Sequence, residues 1–267
     1  MQRTQTNVCC QLPKSSKGNS DVLNESRLRK AVLEDTIIDL TLDKYKRFVM
    51  HGSIVGWRCY GGNRFSADVD FYSNMGLSEE HQFKQGFLIL LSSSGYDIVG
   101  ERHSSLNRLL IDTRYVVPAD KGDNVTSHTT TTLHLTIAHG NEQVIIDITF
   151  MTAVVKSAPA NYTRIDGSNR VIHTLLPESL LKEKLDKYSY NYNVGKHKIE
   201  DLYDLVFLKE RLGELSEVMR RDIALFVEKV DGNPPTNETE LSGSMLDGRT
   251  PCFAELIGSL RNYTSII

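Results

Sequence analysis

Met50-His51-Gly52-Ser53, followed after a short spacer by Arg64-Phe65-Ser66-Ala67-Asp68-Val69-Asp70-Phe71-Tyr72, is the stretch that decides how this chain is read. Phe48-Val49-Met50 is a short apolar strand, and Gly52-Ser53 follows it directly. Serine is a favoured helix N-cap, so Ser53 predicts a short helix over 53–60. Gly61-Gly62-Asn63 then supplies turn chemistry. Asp68 to Tyr72 alternates polar and apolar residues, which predicts a strand with both carboxylates on one face. A helix N-terminus offers unpaired N–H groups and the positive end of the helix dipole, both suited to a phosphate. Gly52 lets such a phosphate approach the backbone closely, and Ser53 adds a hydroxyl donor. Asp68 and Asp70 are hard oxygen ligands of the kind that hold Mg²⁺ while the cation also binds substrate phosphates.

A third carboxylate stands in Ile145-Ile146-Asp147-Ile148-Thr149-Phe150, an otherwise apolar strand. A charge in such a run is costly unless it is paired or metal-bound. Asp147 shares a face with Ile145 and Thr149, and three carboxylates on adjacent strands would make a two-metal site for in-line displacement at phosphorus. The competing reading of Asp147 is a carboxylate salt-bridged at a sheet edge.

The first motif, with Arg64, Ser66, Asp68 and Asp70 in place, resembles that of the AbiEii/AbiGii toxin-like nucleotidyltransferases, a family of the DNA polymerase β-like nucleotidyltransferase superfamily. Leu176-Pro177-Glu178-Ser179-Leu180-Leu181-Lys182-Glu183-Lys184-Leu185 is similar to the family's lysine helix. Lys196-His197-Lys198-Ile199-Glu200-Asp201-Leu202-Tyr203-Asp204-Leu205 is similar to its Asp-x-Tyr-Asp helix, although Glu200 stands where a basic residue is usual and the spacer after Lys184 is long. The match runs over roughly residues 30–210 in matching order.

The resemblance implies an α+β fold: a nucleotidyltransferase-type mixed β-sheet with flanking helices, followed by an all-helical C-terminal half. It implies Mg²⁺ or Mn²⁺ on Asp68, Asp70 and Asp147, and an NTP held by Gly52, Ser53, Arg64, Ser66 and Lys184. Lys184 and Asp201 complete the catalytic set, with Lys182, Lys187 and Asp204 as neighbouring candidates for those roles. The implied reaction moves a nucleoside monophosphate to an acceptor hydroxyl, such as a tRNA end or another RNA. Some relatives are toxins, so a cognate antitoxin is an implied partner. Two other readings stand beside this one: a catalytically inactive nucleotidyltransferase fold that binds a partner, and a GT-A-like glycosyltransferase. The latter also uses Asp-x-Asp but gives no reason for Gly52-Ser53 or Asp147.

Composition agrees with a folded protein. The chain has 267 residues, 40% of them apolar and 24% charged, with a net charge of −3. That balance excludes a disordered chain, a disulfide miniprotein and a generally basic nucleic-acid binder. The longest apolar run, Phe87 to Leu91, is far short of the roughly 20 residues that span a bilayer. Cys9, Cys10, Cys59 and Cys252 form no CxxC pair and read as free thiols in a reducing cytoplasm.

The pattern divides the chain into a flexible polar segment (1–20), an α/β domain (21–172) and a helical domain (173–267). Helices are expected over 21–46, 78–94, 177–190, 197–211, 214–230 and 252–262, and strands over 96–101, 107–117, 131–138 and 143–150. Residues 127–134, with His128, His134 and four threonines, read as a solvent-facing strand rather than a metal site. His51 reads equally as a nucleotide contact or a packed residue, and Trp57 as core. Tyr188, Tyr190 and Tyr192 either stack a base or cover a seam between the halves.

Overall fold

The computed structural model describes residues 25–66, 68–74, 79–107, 116–118, 129–151, 153–196, 198–232, 245–246 and 251–264. The polar segment 1–20, Cys9, Cys10, His128, most of the loop after Pro234 and much of the strand expected over 107–117 lie outside these residues.

The elements in chain order are α1 (Glu25–Lys44), β1 (Phe48–His51), α2 (Ser53–Tyr60), β2 (Asp68–Ser73), α3 (Glu80–Ser93), β3 (Asp97–Asn107), β4 (Val116–Pro118), β5 (Thr129–His139), β6 (Glu142–Met151), β7 (Ala153–Val155), β8 (Ser157–Thr163), β9 (Asn169–Leu175), α4 (Pro177–Asn193), α5 (Ile199–Leu212), α6 (Glu217–Gly232) and α7 (Phe253–Thr264). Seven strands form one mixed sheet in the order β3-β5-β6-β2-β1-β9-β8, and β4 pairs with β7 in a separate ribbon. The central pair β2–β6 is parallel, β1–β2 and β5–β6 are antiparallel, and β1 runs parallel to β9.

Alternation explains the sheet's two faces. Val69 and Phe71 on β2, Leu133 and Leu135 on β5, and Ile146 and Ile148 on β6 are fully buried. Their neighbours Asp68, Asp70, His134 and Asp147 stand on the opposite face. That core continues without a break into the helices, through Leu180 and Leu181 of α4, Leu202 and Leu205 of α5, and Ile223 of α6. A smaller cluster gathers Ala31, Trp57, Phe65 and Ile165, so Trp57 is a core residue.

Two features depart from the sequence reading. The boundary placed after residue 172 falls inside β9, which runs to Leu175; the helical half begins at Pro177, a residue preorganised for the first helical position. The strands β7, β8 and β9 carried no clear signal. β8 reads Ser-Ala-Pro-Ala-Asn-Tyr-Thr, and its proline is tolerated because β8 is an edge strand.

Candidate active site

Strand register places four polar side chains in a row across the sheet. His51 on β1 is opposite Asp70 on β2, Asp70 is opposite Asp147 on β6, and Asp147 is opposite His134 on β5. Asp70 and Asp147 therefore stand side by side on parallel neighbours. Asp68 lies one pleat along β2, opposite Ile145, and is exposed. Burial pushes the Asp70 carboxyl above its ordinary pKa; His51 and Lys187 oppose that shift, and the charge of Asp147 adds to it.

At the end of β1 the chain turns into α2 through Gly52, which adopts φ 78°. A Cβ at this position would lie 2.1 Å from Asp70 Oδ2, and the backbone conformation is one L-residues rarely adopt. Only glycine fits between the strand and the carboxylate. Gly52 is also the N-cap of α2, and no side chain caps the helix. Ser53 is thus the first helical residue, not the expected cap, and its hydroxyl is used elsewhere. It donates to Asp204 Oδ2 at 2.6 Å and accepts from Lys184 Nζ at 2.7 Å.

That contact brings the helical half to the start of α2. The Lys184 ammonium also donates to Asp204 Oδ2 at 2.9 Å, and its side chain is almost fully buried. Arg64 closes the cluster with a two-pronged contact, Nε to Oδ1 at 2.8 Å and Nη2 to Oδ2 at 2.6 Å. Burial alone would raise the Asp204 carboxyl. Lys184, Arg64 and the Ser53 hydroxyl instead hold it well below the usual carboxylate range. A small cavity beside the cluster is lined by Gly52, Ser53, Arg64, Lys184, Tyr203 and Asp204.

Of the two aspartates on α5, Asp204 receives Ser53 and Lys184. Asp201 lies further off, its Oδ1 being 3.8 Å from Lys184 Nζ and 3.5 Å from Lys187 Nζ. Lys182 points away to Asp186 and Asp222. Arg64 and Ser66, both expected at the nucleotide, are committed within the protein. Arg64 holds Asp204, and the Ser66 hydroxyl donates to the Asp68 carbonyl at 3.3 Å.

Glu183 carried no signal of its own in the sequence. Glu183, next to Lys184, accepts from buried His51 Nδ1 at 3.0 Å and from the Tyr72 hydroxyl, and His51 stacks on the Tyr72 ring at 3.8 Å. His51 is therefore a packed residue. Likewise, Tyr188 is fully buried and packs edge-on against Phe226 of α6. The reading that changes most is that of His134. Instead of facing solvent in a threonine strand, its Nδ1 lies 2.8 Å from Asp147 Oδ1 and its Nε2 lies 2.8 Å from Ser104 Oγ. The signal was the Gly140-Asn141 turn between β5 and β6: His134 and Asp147 are equally distant from it.

Among the described residues, no three carboxylate, imidazole or thiol groups are already drawn around one point. Asp70 and Asp147 are the pair that suits a hard divalent cation. Their donors are all oxygen, Asp70 sits in a glycine-shaped cradle, and the two charges crowd each other in a way a cation would relieve.

Residues 41–250 match the model of the family described as nucleotidyl transferase AbiEii toxin, type IV TA system. No curated protein is similar enough to match. Among solved structures, a Helicobacter pylori protein described as a nucleotidyltransferase is 17% identical, with TM-score 0.47 over 91% of this chain and 95% of that one. JHP933 from the same organism is also 17% identical, with TM-score 0.45 over 91% and 92% of the two chains.

Proposed function

The chain belongs to the AbiEii nucleotidyl transferase toxin family, and from that membership and the site we propose that it moves a nucleoside monophosphate from an NTP to an acceptor hydroxyl in a reaction that uses Mg²⁺ or Mn²⁺. The observation that carries this reading is the pairing of Asp70 with Asp147 beside the Gly52–Ser53 turn, with Lys184 delivered to the same turn by α4.

In this reading the first turn of α2 binds the triphosphate, because unpaired N–H groups and the helix dipole favour negative charge there, while the Ser53 hydroxyl holds Lys184 beside that turn. Lys184 adds a point charge next to Ser53. Asp204 and Arg64 hold Lys184 and Ser53 in place. Asp70, Asp147 and the exposed Asp68 would hold the divalent cation. That cation, when bound, supplies charge neutralisation at phosphate and a lower pKa for a bound hydroxyl. The acceptor oxygen attacks the α-phosphorus, the bond to the bridging α–β oxygen breaks, pyrophosphate leaves with that electron pair, and the acceptor proton passes to solvent.

We take the acceptor to be RNA, a tRNA end in the first instance, and the protein to be the toxin of a pair whose antitoxin holds it in check. The family description supports the toxin role. Among the described residues no helix is long and apolar enough to cross a membrane. Free thiols at Cys59 and Cys252 suit a reducing cytoplasm.

The test is incubation with each labelled NTP, Mg²⁺ and either total tRNA or cell lysate. A labelled RNA made by the wild type from one or more NTPs, and lost in Asp70→Asn, is the expected result. NTP binding with no transfer from any NTP would replace this reading with a nucleotide-binding protein that lacks activity.

A further inference from the structure

We propose that His134 is a positioning residue for the divalent cation: tethered by Ser104, it fixes the Asp147 carboxylate in the orientation that binds metal. The inference rests on the metal-dependent reading above, and His134 and Ser104 lie outside the three stretches of sequence that carry the resemblance.

Both ring nitrogens have a partner. Nδ1 faces Asp147 Oδ1 at 2.8 Å, and Nε2 faces Ser104 Oγ at 2.8 Å. One neutral tautomer satisfies both contacts, with Nδ1–H donating to the carboxylate and the Ser104 hydroxyl donating to Nε2. The ring cannot turn without losing both bonds. The sheet supports this geometry, because His134 and Asp147 are direct register partners on the antiparallel pair β5–β6, and Ser104 comes from the next strand, β3.

A neighbouring contact braces the same face, where Thr132 and Thr149 join their hydroxyls at 2.9 Å. The consequence for Asp147 is asymmetric. Oδ1 is taken by the imidazole, so Oδ2 is the oxygen left for a cation shared with Asp70 across the parallel pair. Ligating carboxylates are commonly held by such outer hydrogen bonds, and removing one typically lowers metal affinity about 10–100-fold.

The experiment is a Mn²⁺ titration of the whole chain, without nucleotide, read by the electron paramagnetic resonance signal of free Mn²⁺. Wild type, Asp147→Asn, His134→Ala and His134→Asn are compared, with near-ultraviolet circular dichroism to verify the fold. Asp147→Asn should lose the site. His134→Ala should bind Mn²⁺ about 10–100-fold more weakly. His134→Asn, whose amide places a donor near the position of Nδ1, should recover most of that loss.

Wild-type Mn²⁺ affinity in folded His134→Ala, alongside a loss in Asp147→Asn, would overturn the role of His134 and leave the metal reading intact. Unchanged affinity in Asp147→Asn would overturn both, since there would be no ligand to position. A loss in His134→Asn as large as that in His134→Ala would also count against the proposal, because the donor would not be what matters. If His134→Ala does not fold, Ser104→Ala decides: weaker Mn²⁺ binding supports the tether, and unchanged binding overturns it.

Discussion

Lys184 donates to the hydroxyl of Ser53 at 2.7 Å, although 131 positions of sequence separate the two residues. Both are anchored on one oxygen of Asp204, which also accepts from Arg64. A buried carboxylate flanked by two cations is a poor source of net stability, since desolvation offsets much of the Coulomb gain, but removing one member leaves uncompensated charge.

Asp204→Ala should therefore destabilise the fold by about 3–5 kcal/mol in chemical denaturation. The acid side of the profile should change as well. Because the Asp204 pKa is depressed in the folded state, its contribution is present above the unfolded value of about 3.9 and is lost as pH falls through the folded value. The variant should lack that part of the wild-type acid sensitivity.

Gly52→Ala should place a methyl group on the Asp70 carboxylate and force a left-handed backbone on a residue that resists it. We expect a loss of about 1–3 kcal/mol from backbone strain together with loss of Mn²⁺ binding, whereas Gly56→Ala, where nothing lies within 4 Å of the added carbon, should bind Mn²⁺ as the wild type does. Parallel Mn²⁺ titrations and thermal melts of the two variants check this.

Asp70→Asn should make the metal-free protein more stable while abolishing transfer. An acid whose folded pKa is raised costs the folded state free energy once it ionises, and burial is the first cause of that rise here. A gain of about 0.5–2 kcal/mol is expected in the presence of chelator. Added Mg²⁺ should narrow the gap, since only the wild type gains from binding it.

Glu34 offers a pH test away from the site. It is fully buried on α1, neither carboxyl oxygen has a hydrogen-bond partner, and burial pushes its pKa up to about 8. The unfolded chain ionises near pH 4.3, so this residue lowers stability progressively from about pH 4 to pH 8. Glu34→Gln should match the wild type near pH 4 and exceed it at pH 8 by on the order of a few kcal/mol, as measured by denaturant midpoints across that range.

How far the sequence foretold the site depends on the kind of signal. Asp68, Asp70 and Asp147 were legible because period-two alternation fixes a face, and a carboxylate in an apolar strand needs a reason to be there. Gly52 was legible as a place of close approach, but the sequence pointed to a phosphate, whereas the group it admits is the Asp70 carboxylate. Asp201 and Asp204 lie three apart on one helix face, so helical period cannot say which of them meets Lys184; the packing of α5 against α2 and α4 does. Arg64 was found by its motif, but its partner lies 140 positions away, beyond any local pattern. His134 was hidden by its threonine neighbours and emerges only when the hairpin register is drawn. β8 was missed because a proline and small residues on an edge strand carry little strand pattern, and β9, which lies between β1 and β8, because its alternation spans only a few residues.

The distance in sequence between Ser53 and its partners Lys184 and Asp204 also sets an order of events during synthesis. The glycine turn and the first two carboxylates leave the ribosome well before α4 and α5 exist. Contacts of such separation close late, after the loops between them have lost their freedom. A nascent or truncated chain ending before residue 204 would carry the acidic strands without the clamp that sets Ser53 and Lys184. Only the finished chain, in which α4 and α5 have docked on the Gly52–Ser53 turn, carries the assembled site.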